Sequence, residues 1–578
     1  MKNKTFTEVM DKFTHTQDSR QNYEKKWNTL YDMFRFKKKK ERPGRANFYI
    51  PHAFSNVETV YPRLTAKTPR TRIMPVGPED QKPAVVMSKL IDYAWDKLSL
   101  DDVVRRWVKG TLIYGTGITK VTWKTDRKKI KKEIPQLDND GNFIENKTVT
   151  EERVVYDDPI VSNIDLRDIY LDMDGVDERS CKFIIHRYWA TKEELKENPN
   201  YSNIKNVQFG AENEHIRRGL SSQEKRDADE KNIAEVLEYW EDDRLVVIAG
   251  GKVLRDDPNP YECKKKPFVI MVDQIDDQVA YGIGEVEPIE GLQSEMNTLR
   301  NQRMDFNNLI LNPTFKVMPG SVTDLDNVQF KPGHKIMMNS PDPSAISPVE
   351  MPSAPFSSYK EEESIRVDLQ TITGVSDYSR GTEATKMNDT ATGISLIQQA
   401  ANERFNAKAR NMESALGRMT ELLKDLYQQY ITTEKVFRIT EEETEYFLKV
   451  QPKDIRGNFD IRVESGSTIP SNKMQERSEE MNKYNVLMAN PLINESPGAT
   501  LEVTRSLLEA WEDPKKDKIL EALEEQVSEA DKQKDEAEEK QALEEQEQRL
   551  EKEISEELAI QRPGKGEESG GEQTQPIS

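Results

Sequence analysis

Apolar residues recur at helical spacing from the start of the chain, with Phe6, Met10 and Phe13 followed by Trp27, Leu30, Tyr31 and Phe34. This spacing predicts an amphipathic helix to about residue 40. A proline-punctuated stretch from Pro43 to Pro83 interrupts it, after which Val85 to Ile113 resumes the helical period and stops at Tyr114-Gly115-Thr116-Gly117. Alternation then predicts strands at Ile118–Trp123, Arg153–Tyr156 and Phe183–Tyr188, with a turn at Asp138–Gly141. Further strands are expected at Val236–Trp240, Leu245–Ile248 and Phe268–Val272, and an exposed polar loop over about 196–231.

From Glu285 a helical pattern returns, carried by Ile289, Leu292, Met296, Leu299, Phe306 and Ile310, and it ends at Asn312-Pro313. Eight prolines between Pro313 and Pro355 exclude long helices there, while runs such as Thr314–Met318 suit a small β module. A helix over Tyr359–Thr373 leads to a polar loop, Gly374–Asn388. Asp389 is placed to cap a helix reaching about Ile431, on the order of 60 Å long, with Gly393 and Gly417 as its weak points. Strands at Lys435–Ile439, Tyr446–Val450 and Phe459–Val463 precede helices from Pro470 to Trp511. The fold class expected is α+β, mainly helical.

Composition narrows the function. In 578 residues only 35% are hydrophobic, 33% are charged, and the formal net charge is −20. A chain that coats nucleic acid releases counterions through many Lys and Arg contacts, so DNA contacts here should be local, weak or sliding. Residues 521–560 hold sixteen acidic against five basic residues, an acidic helix or coil, and the Gly, Glu, Gln and Ser that follow Arg562-Pro563-Gly564 suit disorder. Cys181 and Cys263 are far apart, without metal-ligand spacing, which suggests a reducing compartment. The longest apolar run, Phe268–Val272, is far short of a membrane span, so a soluble protein made in the cytosol is expected.

The order of elements resembles that of the portal proteins of tailed double-stranded DNA bacteriophages, in the larger type with a helical crown. Local sequences agree over roughly residues 20–470. Leu112-Ile113-Tyr114-Gly115-Thr116-Gly117 before Lys120-Val121-Thr122-Trp123 looks like that family's helix-to-strand turn, and Glu238-Tyr239-Trp240 like a later strand. Tyr281-Gly282-Ile283-Gly284-Glu285 leads to Leu292-Gln293-Ser294-Glu295-Met296-Asn297 and Arg300-Asn301-Gln302-Arg303 in the manner of its first stem helix.

The resemblance implies a wing (1–285), a stem helix (286–312), a clip (313–357), a second stem helix (358–375), a tunnel loop (376–388) and a long tunnel helix (389–432). Wing strands (433–466), crown helices (467–530) and an acidic tail (531–578) would follow. It also implies a ring of about a dozen copies at one capsid vertex, the channel for genome packaging and ejection. Partners would be the DNA, the large terminase subunit, a head-to-tail adaptor or tail proteins, and the major capsid and scaffold proteins. The setting would be the virion, and the host cytoplasm during assembly. Channel contacts are expected from Arg300, Arg303, Arg380 and Lys386, and clip docking contacts from Lys331, His334 and Lys335.

Catalytic readings fare poorly. Gly110 to Gly115 has the glycine spacing of a phosphate loop, but Thr116-Gly117 stands where Lys and Ser or Thr are needed, and a strand follows where a helix should open. Asp138-Asn139-Asp140-Gly141 and Asp172-Met173-Asp174-Gly175 put glycine three residues after the first Asp, where a helix-loop-helix calcium site needs five. His15, His52, His186, His215 and His334 include no pair at zinc spacing. Lys37–Lys40 with Arg42 and Arg45 reads as a solvated helix end. No enzyme, metal or cofactor is expected. The alternatives are a non-portal virion structural protein with a coiled-coil tail and, further off, a DNA-packaging enzyme.

Overall fold

The computed structural model describes residues 2–523, except 39–42, 67–70, 138–142, 210–232, 326–327, 329–332, 351–356, 376–390, 442–443, 464–472, 491–492, 494–496, 512–518 and 521. The chain divides into two units, Met1–Pro470 and Ser471–Ser578. The expected turn at 138–141, the cap at Asp389, the loop over 376–388 and the acidic tail lie outside the described residues.

The first unit opens with helix α1 (Lys2–Phe34), α2 (His52–Leu64), strand β1 (Thr71–Pro75), α3 (Gln81–Lys97) and α4 (Leu100–Tyr114). Two features depart from expectation. The proline-rich stretch contains α2: Pro51 occupies its cap, where no N–H is needed, and Pro62 falls in the last turn, so that it forfeits one hydrogen bond just before the helix ends. The single helix expected over Val85–Ile113 is two, broken where Ser99 adopts φ 50°, with Asp101 and Asp102 in the first turn of α4.

Strands β2 (Thr116–Leu137) and β3 (Phe143–Ile164) form an antiparallel arm much longer than the expected strands, joined through β2 to β9 (Phe268–Val272). Its outer part evades alternation because both faces meet water: Thr125, Arg127 to Ile130 and Arg153 to Val155 are exposed. A five-stranded antiparallel sheet follows the order β4 (Ile169–Leu171), β5 (Ile184–Thr191), β6 (Ile233–Trp240), β7 (Arg244–Ala249) and β8 (Lys252–Pro258), with the short helix α5 (Lys192–Glu197) inserted after β5.

The N-terminal half of α1 covers one face of this sheet, laying Val9 and Phe13 on Tyr170, Phe183, Leu237 and Tyr239. The main core runs from Trp27 and Leu30 through Met87, Trp107, Leu112 and Ile270 to Leu416, Leu423 and Tyr427. Each such fully buried side chain contributes roughly 1.5–3 kcal/mol. Arg20, itself fully buried, donates from its guanidinium to the carbonyls of Leu166, Arg167 and Ile169 over the Tyr170 ring, which ties α1 to the start of β4.

Beyond the sheets come α6 (Glu290–Leu311), the strand pair β10 (Phe315–Val317) and β11 (Ile346–Pro348), and α7 (Ser357–Thr373). Helix α8 (Ala391–Tyr430), at 40 residues about 60 Å long, is followed by hairpin β12 (Lys435–Glu441) and β13 (Thr444–Val450), then β14 (Phe459–Val463). Strand β14 pairs with β1, nearly four hundred residues earlier, and rests on α8, where a Cβ on Gly417 would lie 3.6 Å from Val463. The second unit pairs α9 (Lys473–Met488) with α10 (Pro497–Trp511), and Ser506 donates to Glu480 at 3.4 Å.

Candidate functional site

Two sequence motifs noted separately prove to be one structure. Gly115 ends α4 at φ +87°, and its carbonyl accepts from Asp273 N at 3.0 Å. Thr116 Oγ1 accepts from Gly282 N at 2.8 Å, and Leu112 O accepts from Glu285 N at 2.8 Å. A Cβ on Gly115 would collide with the carbonyl of Gly282 and lie 2.8 Å from Gly284 N, while one on Gly284 would lie 2.6 Å from Gly115 N. Backbone approaches this close admit glycine alone.

This glycine knot delivers Glu285 to the foot of α6. Glu285 and Asp273 both pair with Lys408 of α8, Asp273 at 2.9 Å, and Asn56 of α2 donates to Glu285 at 2.9 Å. All three ionisable groups are largely or wholly removed from water, and Asp273 Oδ2 has no hydrogen-bond partner. Burial pushes the Asp273 carboxyl up to about 7 against the opposing pull of Lys408. Burial alone would lower Lys408, but Asp273 and Glu285 outweigh it and raise it above its usual value.

Above this point α6 and α7 run antiparallel. Arg300 pairs with Glu362 of α7 at 3.1 Å, Arg303 pairs with the same carboxylate, and the Arg303 guanidinium lies 4.3 Å from the centre of the Tyr359 ring. The side chain of Arg300 is 46% exposed and that of Arg303 only 9%. Thus both expected channel arginines are brought together, and one is turned into the helix pair.

A neighbouring face of α6 carries a ladder that sequence reading missed. Gln293, Asn297, Asn301 and Asp305 recur every four residues, so they share one helix face. They hold an extended segment: Asn297 accepts from Ile50 N at 2.9 Å, Asn301 from Phe48 N at 2.6 Å, and Asp305 from Ala46 N. Gln293 accepts from Ala53 N at 3.2 Å and donates to Ile50 O at 2.6 Å. The available signal was the four-residue amide spacing itself. Arg45 of the basic run pairs with Asp305 at 3.4 Å, and Lys37 with Asp32 at 3.1 Å.

In the β module, Val322 bridges Met338 in addition to the β10–β11 pair, and His334 is half-buried while Lys335 is exposed. Lys331, Arg380 and Lys386 lie outside the described residues. Large apolar side chains remain in water along this part of the single chain: Leu309, Ile310 and Leu311 on α6, Tyr359, Val367 and Ile372 on α7, and Met318, Leu325 and Met337 in the module.

Gly110 sits within α4 and Gly115 caps it, so the glycine pair ends a helix and cradles no phosphate. Asp172 accepts from Lys182 N at 3.0 Å and Asp174 N at 3.4 Å, a turn. Among the described residues no three His, Cys, Asp or Glu side chains converge on a metal position. His186 is spent on structure: it lies 3.3 Å from Lys120, and both contact Glu238 between the two sheets. Burial and the Lys120 charge hold His186 below its usual value, while Lys120 and His186 overcome the burial of Glu238 and hold that carboxyl far below its own.

The family model described as "Phage SU10 portal protein" matches residues 130–553. The match takes in the outer part of the hairpin arm, the Gly282–Glu285 side of the glycine knot, both paired helices, the β module and α8, and it begins after Gly115.

Proposed function

Because the chain belongs to the phage SU10 portal protein family, a structural family of the virion, we propose that copies of it close into a ring whose α6–α7 pairs form a stem around the DNA channel. The observation that carries this reading is the set of exposed apolar residues distributed over the helix pair, Leu309, Ile310, Leu311, Val367 and Ile372, which a head-to-tail ring would bury between neighbours. The first 285 residues, with β12 to β14, serve as the wing that meets capsid and scaffold. The β module is the clip, offering His334, Lys335 and Lys331 first to the large terminase subunit and then to an adaptor.

With a net charge of −20 on each copy, the ring as a whole repels phosphates, so that DNA slides without being captured. Arg300, half in water, supplies the brief attractive contact; Arg303 braces the stem. Arg380 and Lys386, in the sequence between α7 and α8, would add a second ring of charge. Among the described residues no helix is long and apolar enough to cross a membrane.

Gold-labelled antibody against this chain tests the placement on phage particles opened at the capsid. Label at a single vertex supports it. Label spread over the shell or along the tail overturns it.

A further inference from the structure

One face of α8 carries a row of donors: Arg404, Lys408, Asn411 and Arg418, at spacings of four, three and seven. Their acceptors belong to other elements. Arg404 donates to the carbonyls of Thr371 and Ile372 at 3.0 and 3.3 Å, the last turn of α7, where helix carbonyls lack intrahelical partners. Gly374 leaves that turn at φ +69°, and a Cβ there would lie 3.0 Å from the Arg404 side chain. Val375 next to it is wholly buried. Lys408 grips Asp273 at the end of β9 and Glu285 before α6, Asn411 donates to Asp273 O at 2.9 Å, and Arg418 donates to Ile270 O at 2.6 Å. A cavity of about 390 Å³ opens among Asp273, Glu285, Ile372, Arg404 and Lys408.

We propose that Arg404 and Lys408 are the positioning residues of a joint that fixes where both stem helices meet α8, and that Lys408 does so through a carboxylate pair holding one negative charge more than it neutralises. The role in a channel rests on the portal reading; the joint itself does not. Two buried carboxylates against one ammonium leave Asp273 Oδ2 without a partner, and a proton on Asp273 restores one-to-one pairing. The charged groups around Asp273 are Lys408 and Arg404 from α8 and Glu285 from the segment before α6; the Asn56 amide of α2 already serves Glu285.

The sign follows from a carboxyl raised to about 7 in the fold. Below its unfolded value the joint has its full strength; strength is lost as pH rises through about 7, and the loss levels off above that. The joint is therefore tight in mild acid and looser in mild alkali.

Hydrogen exchange of the full-length protein at pH 6 and pH 8, each rate divided by that of an unstructured reference peptide, tests this. Opening at residues 371–375 and 404–411 should rise about tenfold from pH 6 to pH 8. Asp273→Asn should abolish the pH dependence, Lys408→Met should raise exchange at both pH values, and Lys408→Arg should restore protection at pH 6. Arg404→Lys should raise exchange at 371–375 alone. Equal protection at both pH values in the unaltered protein, or an undiminished pH dependence in Asp273→Asn, would overturn the proposal. Should Lys408→Met not fold, the Asp273→Asn comparison still decides. Negative-stain images of the same samples separate the two claims: absent rings with the exchange pattern intact count against the portal reading and leave the joint standing.

Discussion

Gly115 and Gly282 meet backbone to backbone, so closely that neither has room for a Cβ. Gly115→Ala would force a left-handed residue and a clash with a carbonyl, a cost on the order of 3 kcal/mol or more. Gly110 and Gly291 have nothing within 4 Å of the same position and lie in helices. Gly110→Ala or Gly291→Ala should therefore stabilise by roughly 0.5–1 kcal/mol. Thermal melting of the four single variants should show two large falls for Gly115 and Gly282 and two small rises for the controls; similar shifts for all would refute the knot.

The shared carboxylate of Glu362 should matter unequally to its two partners. Glu362→Gln leaves the largely buried Arg303 without its charge partner, and about 1–3 kcal/mol should be lost. Arg300→Ala removes a pair nearly half in water, worth less than about 1 kcal/mol. A double-mutant cycle by urea unfolding measures both couplings, with Arg303–Glu362 the larger.

His186 should make the contact between the two sheets sensitive to acid. Its depressed value keeps it neutral in the fold, so stability is lost as pH falls below about 6.5, where the unfolded ring takes a proton first. Asp273 strengthens the parent and His186→Gln alike over the same window, so the acid effect is read as the difference between them: the urea midpoint of the parent should lose ground to that of His186→Gln as pH falls from 7.5 to 5, a change of slope. An unchanged slope would remove His186 as the cause.

The segment from Ala46 to Ala53 should peel away when its ladder is cut. Asn301→Ala removes an acceptor from Phe48 N and a donor to Phe48 O, about 1 kcal/mol in all. Trypsin should then cut at Arg45 several times faster than in the parent protein, with cutting elsewhere unchanged.

What sequence reading recovered follows the physics of each signal. Helices with one dry face, such as α6, α7 and α8, announced themselves by spacing, and so did strands β9 and β14. The outer part of the β2–β3 arm did not, since Lys128 and Lys129 meet water on both faces and leave no alternation to see. Helix α2 was hidden by Pro51, harmless at its cap, and by Pro62, which falls in the last turn. Gly115 was legible as a helix stop, but its contact with Gly282 joins positions far apart in the chain and has no local mark. Arg300 and Arg303 were picked out, yet Glu362 stood unmarked in a run of charges. Asp273 and Lys408 carry no motif, and only the fold brings them together.

Negative-stain electron microscopy of the purified full-length protein tests the portal account most directly. End-on rings with a central hole, and side views with a narrow stem, are the expected result. Filaments, or closed oligomers without a channel, across a range of salt and protein concentrations would contradict it.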